Sequence, residues 1–190
     1  TLFGGRMNSS FAIFFNEYKD VQIPGSIGLD TDGDGIEDQF IGITSNAARA
    51  DINGAEWEGN ALVAQDLGPV GSSLQFLWAI GYIDADFKEY IDPFGNDVSD
   101  EREFQNTPEW TASGGLTYER PLSLFGNGGQ FYFIPSIAYR SEASQFEFPN
   151  ELLDQDAFTL IDLSIVWEDD DGHWRIGLHG KNLDVTDVYL

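Results

Sequence analysis

Cysteine is absent from the 190 residues. That excludes a disulfide framework, a thiolate nucleophile and any cysteine-based metal centre. Basic residues are scarce: nine Lys and Arg stand against 33 Asp and Glu, for a net charge of −24. Nucleic acid calls for a basic face to meet its phosphates, so it is excluded as a partner. Anionic lipid headgroups are poor partners for most of the chain for the same reason. Long apolar runs are missing as well, and none approaches the roughly 18 residues of a spanning helix. A helical membrane protein is thereby excluded. A β-barrel is not, because every second residue of a barrel strand can be polar. There is no G-x-S-x-G nucleophile turn. Gly126–Gly129 (GNGG) lacks the spacing and the strand-to-helix setting of a nucleotide loop and reads as a turn.

Aromatic residues, by contrast, make up 14% of the chain, and many sit inside alternating segments. The last hairpin, Phe158 to Leu183, carries the pattern most fully. Ile161, Leu163, Ile165 and Trp167 share one parity. After the acidic turn 168–172, Trp174, Ile176 and Leu178 fall on one side, and His173, Arg175, His179 and Lys181 on the other. Successive side chains of a strand point to opposite faces, so this alternation gives one apolar and one polar face. Four further segments behave alike: Arg6–Tyr18, Ala47–Ala64, Glu109–Glu119 and Gln130–Arg140. In Leu74–Tyr82 the residues Leu74, Phe76, Trp78, Ile80 and Tyr82 all share a parity. Phe40–Thr44 is a shorter extended piece. Val21–Gly28, with Pro24, Gly25 and Gly28, reads as a strand end and loop.

Compact turns alternate with long acidic connections, the latter at Asp30–Asp38, Ile83–Pro108 and Glu142–Asp156. The pattern predicts an all-β, antiparallel up-and-down meander of about seven strands with no helix. A soluble sandwich would hide the apolar face under a second sheet. A membrane barrel would show it to lipid and keep the polar face around a wet lumen. Trp57, Tyr82, Trp110, Trp167 and Trp174 then supply either interfacial girdles or an ordinary core.

The sharpest chemical motif is Asp30–Asp38 (DTDGDGIED). A hard cation wants several oxygens, and a Gly at the bend brings them together. Asp30, Asp32, Asp34 and Asp38, with the carbonyl of Ile36, would hold calcium. The bidentate Glu of an EF-hand is missing, since Ile41 occupies its place. The order D-x-D-x-D-G-x-x-D is similar to the calcium repeats of thrombospondin type. The other reading is a solvated acidic loop. His173 and His179 lie six residues apart, roughly 20 Å along a strand, too far for one metal. The pairs Glu56/Glu58 and Asp84/Asp86 read as lumen-face and loop-end charges rather than as the carboxyls of a glycosidase cleft.

Several stretches resemble the C-terminal barrel of a TonB-dependent outer-membrane receptor. They are NEYKD (Asn16–Asp20), NAARADINGAEWEG (Asn46–Gly59), GYIDADF (Gly81–Phe87), NTPEWTASGGLTYE (Asn106–Glu119), Tyr139–Ser141 and WRIGLHGKNLDVTDVY (Trp174–Tyr189). Their order and spacing cover nearly the whole chain. Asp184 directly follows Leu183, which departs from the usual Asn-Leu-x-Asp placement, and no aromatic-ended final strand follows Leu190. The resemblance implies that residues 1–190 are part of a transmembrane β-barrel of the bacterial outer membrane. The plug domain and final strand would lie outside them. On this reading the curved sheet is open, and its two edge strands present unpaired backbone groups. It further implies uptake of a scarce ligand, commonly an iron-siderophore complex, energised by the TonB complex through the plug region. It implies no enzyme activity and no resident cofactor beyond the calcium weighed above. The alternative is a secreted calcium-binding β-sandwich, either a carbohydrate-binding module or a carbohydrate-active enzyme. A smaller complete barrel ranks below both, because seven is odd and bacterial single-chain barrels have even strand counts.

Overall fold

The computed structural model of the protein describes residues 3–29, 31, 33, 35, 39–92, 95–150 and 152–184, with the side chains of 23–29, 40 and 43–47 excepted. Seven antiparallel strands form one sheet in chain order. They are β1 (Met7–Leu29), β2 (Gln39–Gln65), β3 (Ser73–Tyr90), β4 (Trp110–Pro121), β5 (Gly129–Arg140), β6 (Phe158–Asp169) and β7 (Arg175–Gly180). β1 and β7 are the free edges, so the sheet is open. Among the described residues there is no α-helix. The up-and-down order gathers the short turns 66–72, 122–128 and 170–174 at one end and the long connections at the other.

The register converts the alternation into two faces. One rung runs Ser9–Gly59–Trp78–Gly114–Ile137–Ile161, and the next Phe11–Trp57–Ile80–Ala112–Tyr139. On the opposite face a rung runs Ser10–Glu58–Ala79–Ser113–Ala138–Leu160. Among the described residues nothing covers the apolar face: Phe11 is 65% exposed, Phe15 79% and Leu178 71%. A compact globule of 21.1 kDa exposes about 9,000 Å², whereas this chain exposes 12878 Å². The sheet is thus a single layer without the dry interior that a sandwich requires.

Of the two indole N–H groups at the centre of the apolar face, that of Trp78 is buried without a partner, and that of Trp57 is settled locally. The Trp57 indole N–H donates to Ser9 Oγ at 2.8 Å, which removes an unpaired donor from an apolar setting. The Trp78 ring lies across Gly59, where any Cβ would collide with it. Trp57 meets Trp78 edge-on at 5.5 Å, and Tyr82 packs on Trp110 at 4.7 Å.

Three strands run further than the alternation predicts. β3 passes Tyr82 and continues to Tyr90, paired with β2 as far as Ala48. Beyond Tyr82 its polarity reverses: Asp84, Asp86 and Lys88 take the face of Trp78 and are exposed, while Ile83, Ala85 and Phe87 turn to the other side. A strand that leaves hydrocarbon for water gains nothing by keeping its outer side chains apolar, so the switch marks the membrane edge. From Leu74 to Tyr82 is nine residues, which at about 3.3 Å per residue and a tilt of about 40° gives roughly 20 Å of height, close to the apolar band of an outer-membrane barrel. β1 likewise passes Tyr18. An irregularity between Tyr18 and Val21, with Asp20 at φ 55°, absorbs the extra residues, and pairing then continues to Leu29. Pro24 lies within this stretch, opposite Thr44 of β2. Phe40–Thr44 and Ala47–Ala64 belong to one strand, β2.

Candidate functional site

The polar face holds a depression of about 790 Å³ that crosses β1 to β6. Asn60, Glu58, Ser113, Ser136 and Asp162 line it, along with Leu77, which is 50% exposed there. The polar face is the one that a membrane barrel keeps around its lumen. Glu56 lies on this wall and is exposed, which fits the lumen role expected of it. Nearer the long loops a second hollow of about 520 Å³ brings Glu56, Thr111 and Arg140 together. The Arg140 guanidinium donates to the Asn106 carbonyl at 2.8 Å and ties the 91–109 loop to the wall.

Above the membrane edge the loops 91–109 and 141–157 are locked into one body. Backbone bonds run from Glu103 N to Glu147 O at 3.0 Å and from Asn106 N to Ser144 O at 2.8 Å. The Tyr90 hydroxyl donates to Glu147 Oε2 at 2.7 Å, and the Ser144 hydroxyl to the Glu103 carboxylate. The Arg102 guanidinium lies 3.6 Å over the Phe148 ring and 5.1 Å from that of Tyr90. Phe104 stacks on Phe87 at 4.2 Å. Ala48 and Tyr90 are buried at the base of this assembly, with Val21, Phe87 and Val98 packed against them. The contacts that reach the 141–157 loop join residues about 40 to 60 positions apart and carry no local sequence signal, so Tyr90, Arg102, Ser144 and Glu147 emerge only from the structure.

Titration follows from that packing. Burial, aided by the Glu147 carboxylate, pushes the Tyr90 phenol up to about 12. The neutral form is the one the fold holds, so its contribution is complete below about pH 10, the ordinary value, and is lost as pH rises through about 12. Asp97 accepts the backbone N–H groups of Tyr90 and Ser99, which hold its carboxyl below the usual range. Its contribution is complete above that range and is lost as pH falls through the lowered value of the folded state. Tyr90→Phe is expected to weaken the lock by about 1–2 kcal/mol, lowering amide protection at Glu103 and Asn106 about tenfold. The phenolate absorbance missing from the variant should arise near pH 12 in the wild type. Unchanged protection in the variant would dissolve the lock.

Of the residues singled out from the sequence, Asp30, Asp32, Asp34, Ile36 and Asp38 lie outside the described residues. His179 faces the lumen wall, its Nδ1 2.9 Å from Ser164 Oγ, while His173 sits in the 170–174 turn, so they do not converge. The structure instead places ligand atoms of Asp169, Asp171 and His173 within 4.8 Å of one another. Asp169 is the buried member, and it accepts the Trp174 N–H at 2.8 Å, which closes the turn. Pairing His173 only with His179 overlooked this turn, whose signal in the sequence is the run Asp169–His173 itself.

A one-layer meander with an uncovered apolar belt outside and a polar wall inside is a sector of a transmembrane β-barrel. The sequence profile described as TonB dependent receptor-like, beta-barrel matches residues 1–183. The chain belongs to this family of outer-membrane receptors, which are transporters and not enzymes. No curated protein and no solved structure matches the chain. The uncovered apolar face and the family match leave the secreted sandwich without support.

Proposed function

We propose that this chain is part of the C-terminal barrel wall of a receptor that takes up a scarce ligand, an iron-siderophore complex, with energy from the TonB complex. A plugged barrel of this type has 22 strands, of which seven stand here. The plug domain, which contacts the TonB complex, and the closing strand belong to the rest of the polypeptide. The observation that supports this most strongly is the reversal of polarity at Tyr82, where an apolar belt gives way to charge on the same face of β3. The experiment is uptake of radio-iron chelate by cells with and without the full-length gene, before and after collapse of the proton gradient. Loss of uptake in both deleted and de-energised cells is the expected result. Equal uptake in deleted cells would overturn the ligand, and recovery of the protein from the soluble periplasm would overturn the class.

For Asp30–Asp38 we propose weak calcium binding by the four carboxylates and the Ile36 carbonyl, with the affinity of an extracellular module, about 10⁻⁴–10⁻³ M. Calcium titration of the full-length receptor should show one such site, and Asp30→Asn/Asp32→Asn should abolish it. Titration curves that coincide for the two proteins would reduce the motif to a solvated loop.

A further inference from the structure

The 141–157 loop does something unusual for a segment in water: it holds its largest apolar side chains out. Phe146 is 52% exposed, Phe148 60%, Leu152 92% and Leu153 53%, all within eight residues of chain. The exposure is built in. Asp154 accepts the N–H of Gln145 at 3.0 Å and of Asn150 at 2.8 Å, while Asn150 Oδ1 accepts the Leu152 N–H at 3.1 Å. The tip is thus a closed turn, and it is fastened to the 91–109 loop through Glu103, Ser144 and Glu147. A contact surface fixed before its partner arrives loses little ordering entropy on binding.

The surroundings of the tip are one-signed. The loops 91–109 and 141–157 carry eleven carboxylates and a single basic residue, Arg102, for a net charge of −10. Arg102 is engaged on the Phe148 ring. An anion approaching this rim is repelled, and a cation is steered in. Apolar anchors inside a rim of one charge sign mark a binding surface for a ligand with the complementary layout.

We propose that the joined outer loops bind a cationic amphipathic peptide, whose apolar side chains seat on Phe146, Leu152 and Leu153 while its ammonium groups meet the carboxylate rim. This site rests on the family reading only in that the long loops must face the outside of the cell. An anionic chelate, by the same electrostatics, gains nothing from this sector of the mouth.

The test uses the full-length receptor. In the first arm the Leu152→Cys variant is probed on intact cells with a membrane-impermeant maleimide, against the receptor without that substitution as the control; these 190 residues contribute no cysteine of their own. In the second, the purified receptor in zwitterionic nanodiscs meets a fluorescent Lys- and Leu-rich peptide, a Lys-only peptide of equal charge, and a Glu- and Leu-rich counterpart. Labelling of intact cells is expected. The Lys- and Leu-rich peptide should bind about tenfold tighter than the Lys-only one, weaken with salt, and lose about tenfold in Leu152→Ser/Leu153→Ser. Equal binding by that double variant would reduce the effect to unspecific charge and overturn the site while leaving the outward orientation intact. A Leu152→Cys thiol that is unreactive in intact cells but reactive once the periplasm is opened would overturn both together. If the thiol stays unreactive under both conditions, the tip is covered by the rest of the barrel or by a second copy, and the peptide site falls alone.

Discussion

Replacing Ile137 by Arg is expected to cost the full-length receptor about 2–4 kcal/mol in lipid vesicles, whereas Ala138→Arg, one residue along the same strand, should cost about 0.5 kcal/mol or less. Ile137 shares its rung with Trp78 and Gly114, at the middle of the stretches Leu74–Tyr82 and Trp110–Tyr118. It is 50% exposed with no protein cover. In water an Arg at such a position would be harmless, because half of it would be hydrated. In the belt its guanidinium must either sit in hydrocarbon or drag headgroups and water toward it, and the central position makes that reach longest. Ala138 faces the hollow on the polar side, which Asp162 of the neighbouring strand also lines, and an Arg there remains in water. The two substitutions have the same chemistry and nearly the same backbone position, so their difference isolates which face meets lipid. Guanidinium unfolding of both variants in vesicles, followed by tryptophan emission, supplies the comparison. Equal costs would mean that the two faces share one environment, and the barrel reading would fail.

The same two-faced logic explains how far the sequence could be read. Period-two alternation depends only on neighbouring residues, so the belts of β3, β4, β5 and β6 are visible in Leu74–Tyr82, Trp110–Tyr118, Phe131–Tyr139 and Ile161–Trp167 without coordinates. The strand ends are not visible in this way. Asp84, Asp86 and Lys88 look like loop composition because charge on the outer parity breaks the belt pattern, yet the backbone pairing with β2 continues to Tyr90. What changes there is the solvent around the strand. Pro24 and Gly25 mislead as well: both read as strand breakers in the sequence, yet the pairing of β1 with β2 runs through them to Leu29. The loop lock is further out of reach. Glu147 meets Tyr90, and Ser144 meets Glu103, only after β4 and β5 have brought the two loops side by side. Individually these residues look like ordinary acidic-loop composition, and their roles appear only in pairs.

Trp167→Ala is expected to be the most damaging single truncation at the turn end, costing about 3–5 kcal/mol. Trp167 is 4% exposed, in a sheet where most large outward side chains lie open. Its indole N–H donates to the Leu122 carbonyl at 2.7 Å, the ring meets Phe125 edge-on at 6.4 Å, and Gly129 leaves it room, since a Cβ there would stand 2.8 Å from Nε1. The side chain therefore pins the 122–128 turn onto the foot of β6 and closes the hairpin of β4 and β5. Removing it opens a cavity and frees the Leu122 carbonyl at once. Trp167→Phe separates the two effects. It keeps most of the apolar contact, loses the hydrogen bond, and should cost about 1–2 kcal/mol. Gly129→Ala approaches the same interaction from the other side, by driving a methyl group into the indole and the Glu168 carbonyl, and should fall between the other two. If Trp167→Ala and Trp167→Phe unfold at the same denaturant concentration, the ring contributes only through its N–H, and the turn is held by its own backbone bonds between Leu124 and Asn127. If all three variants match the wild type, the turn end is not anchored by this residue, and the belt alone sets the stability of the wall.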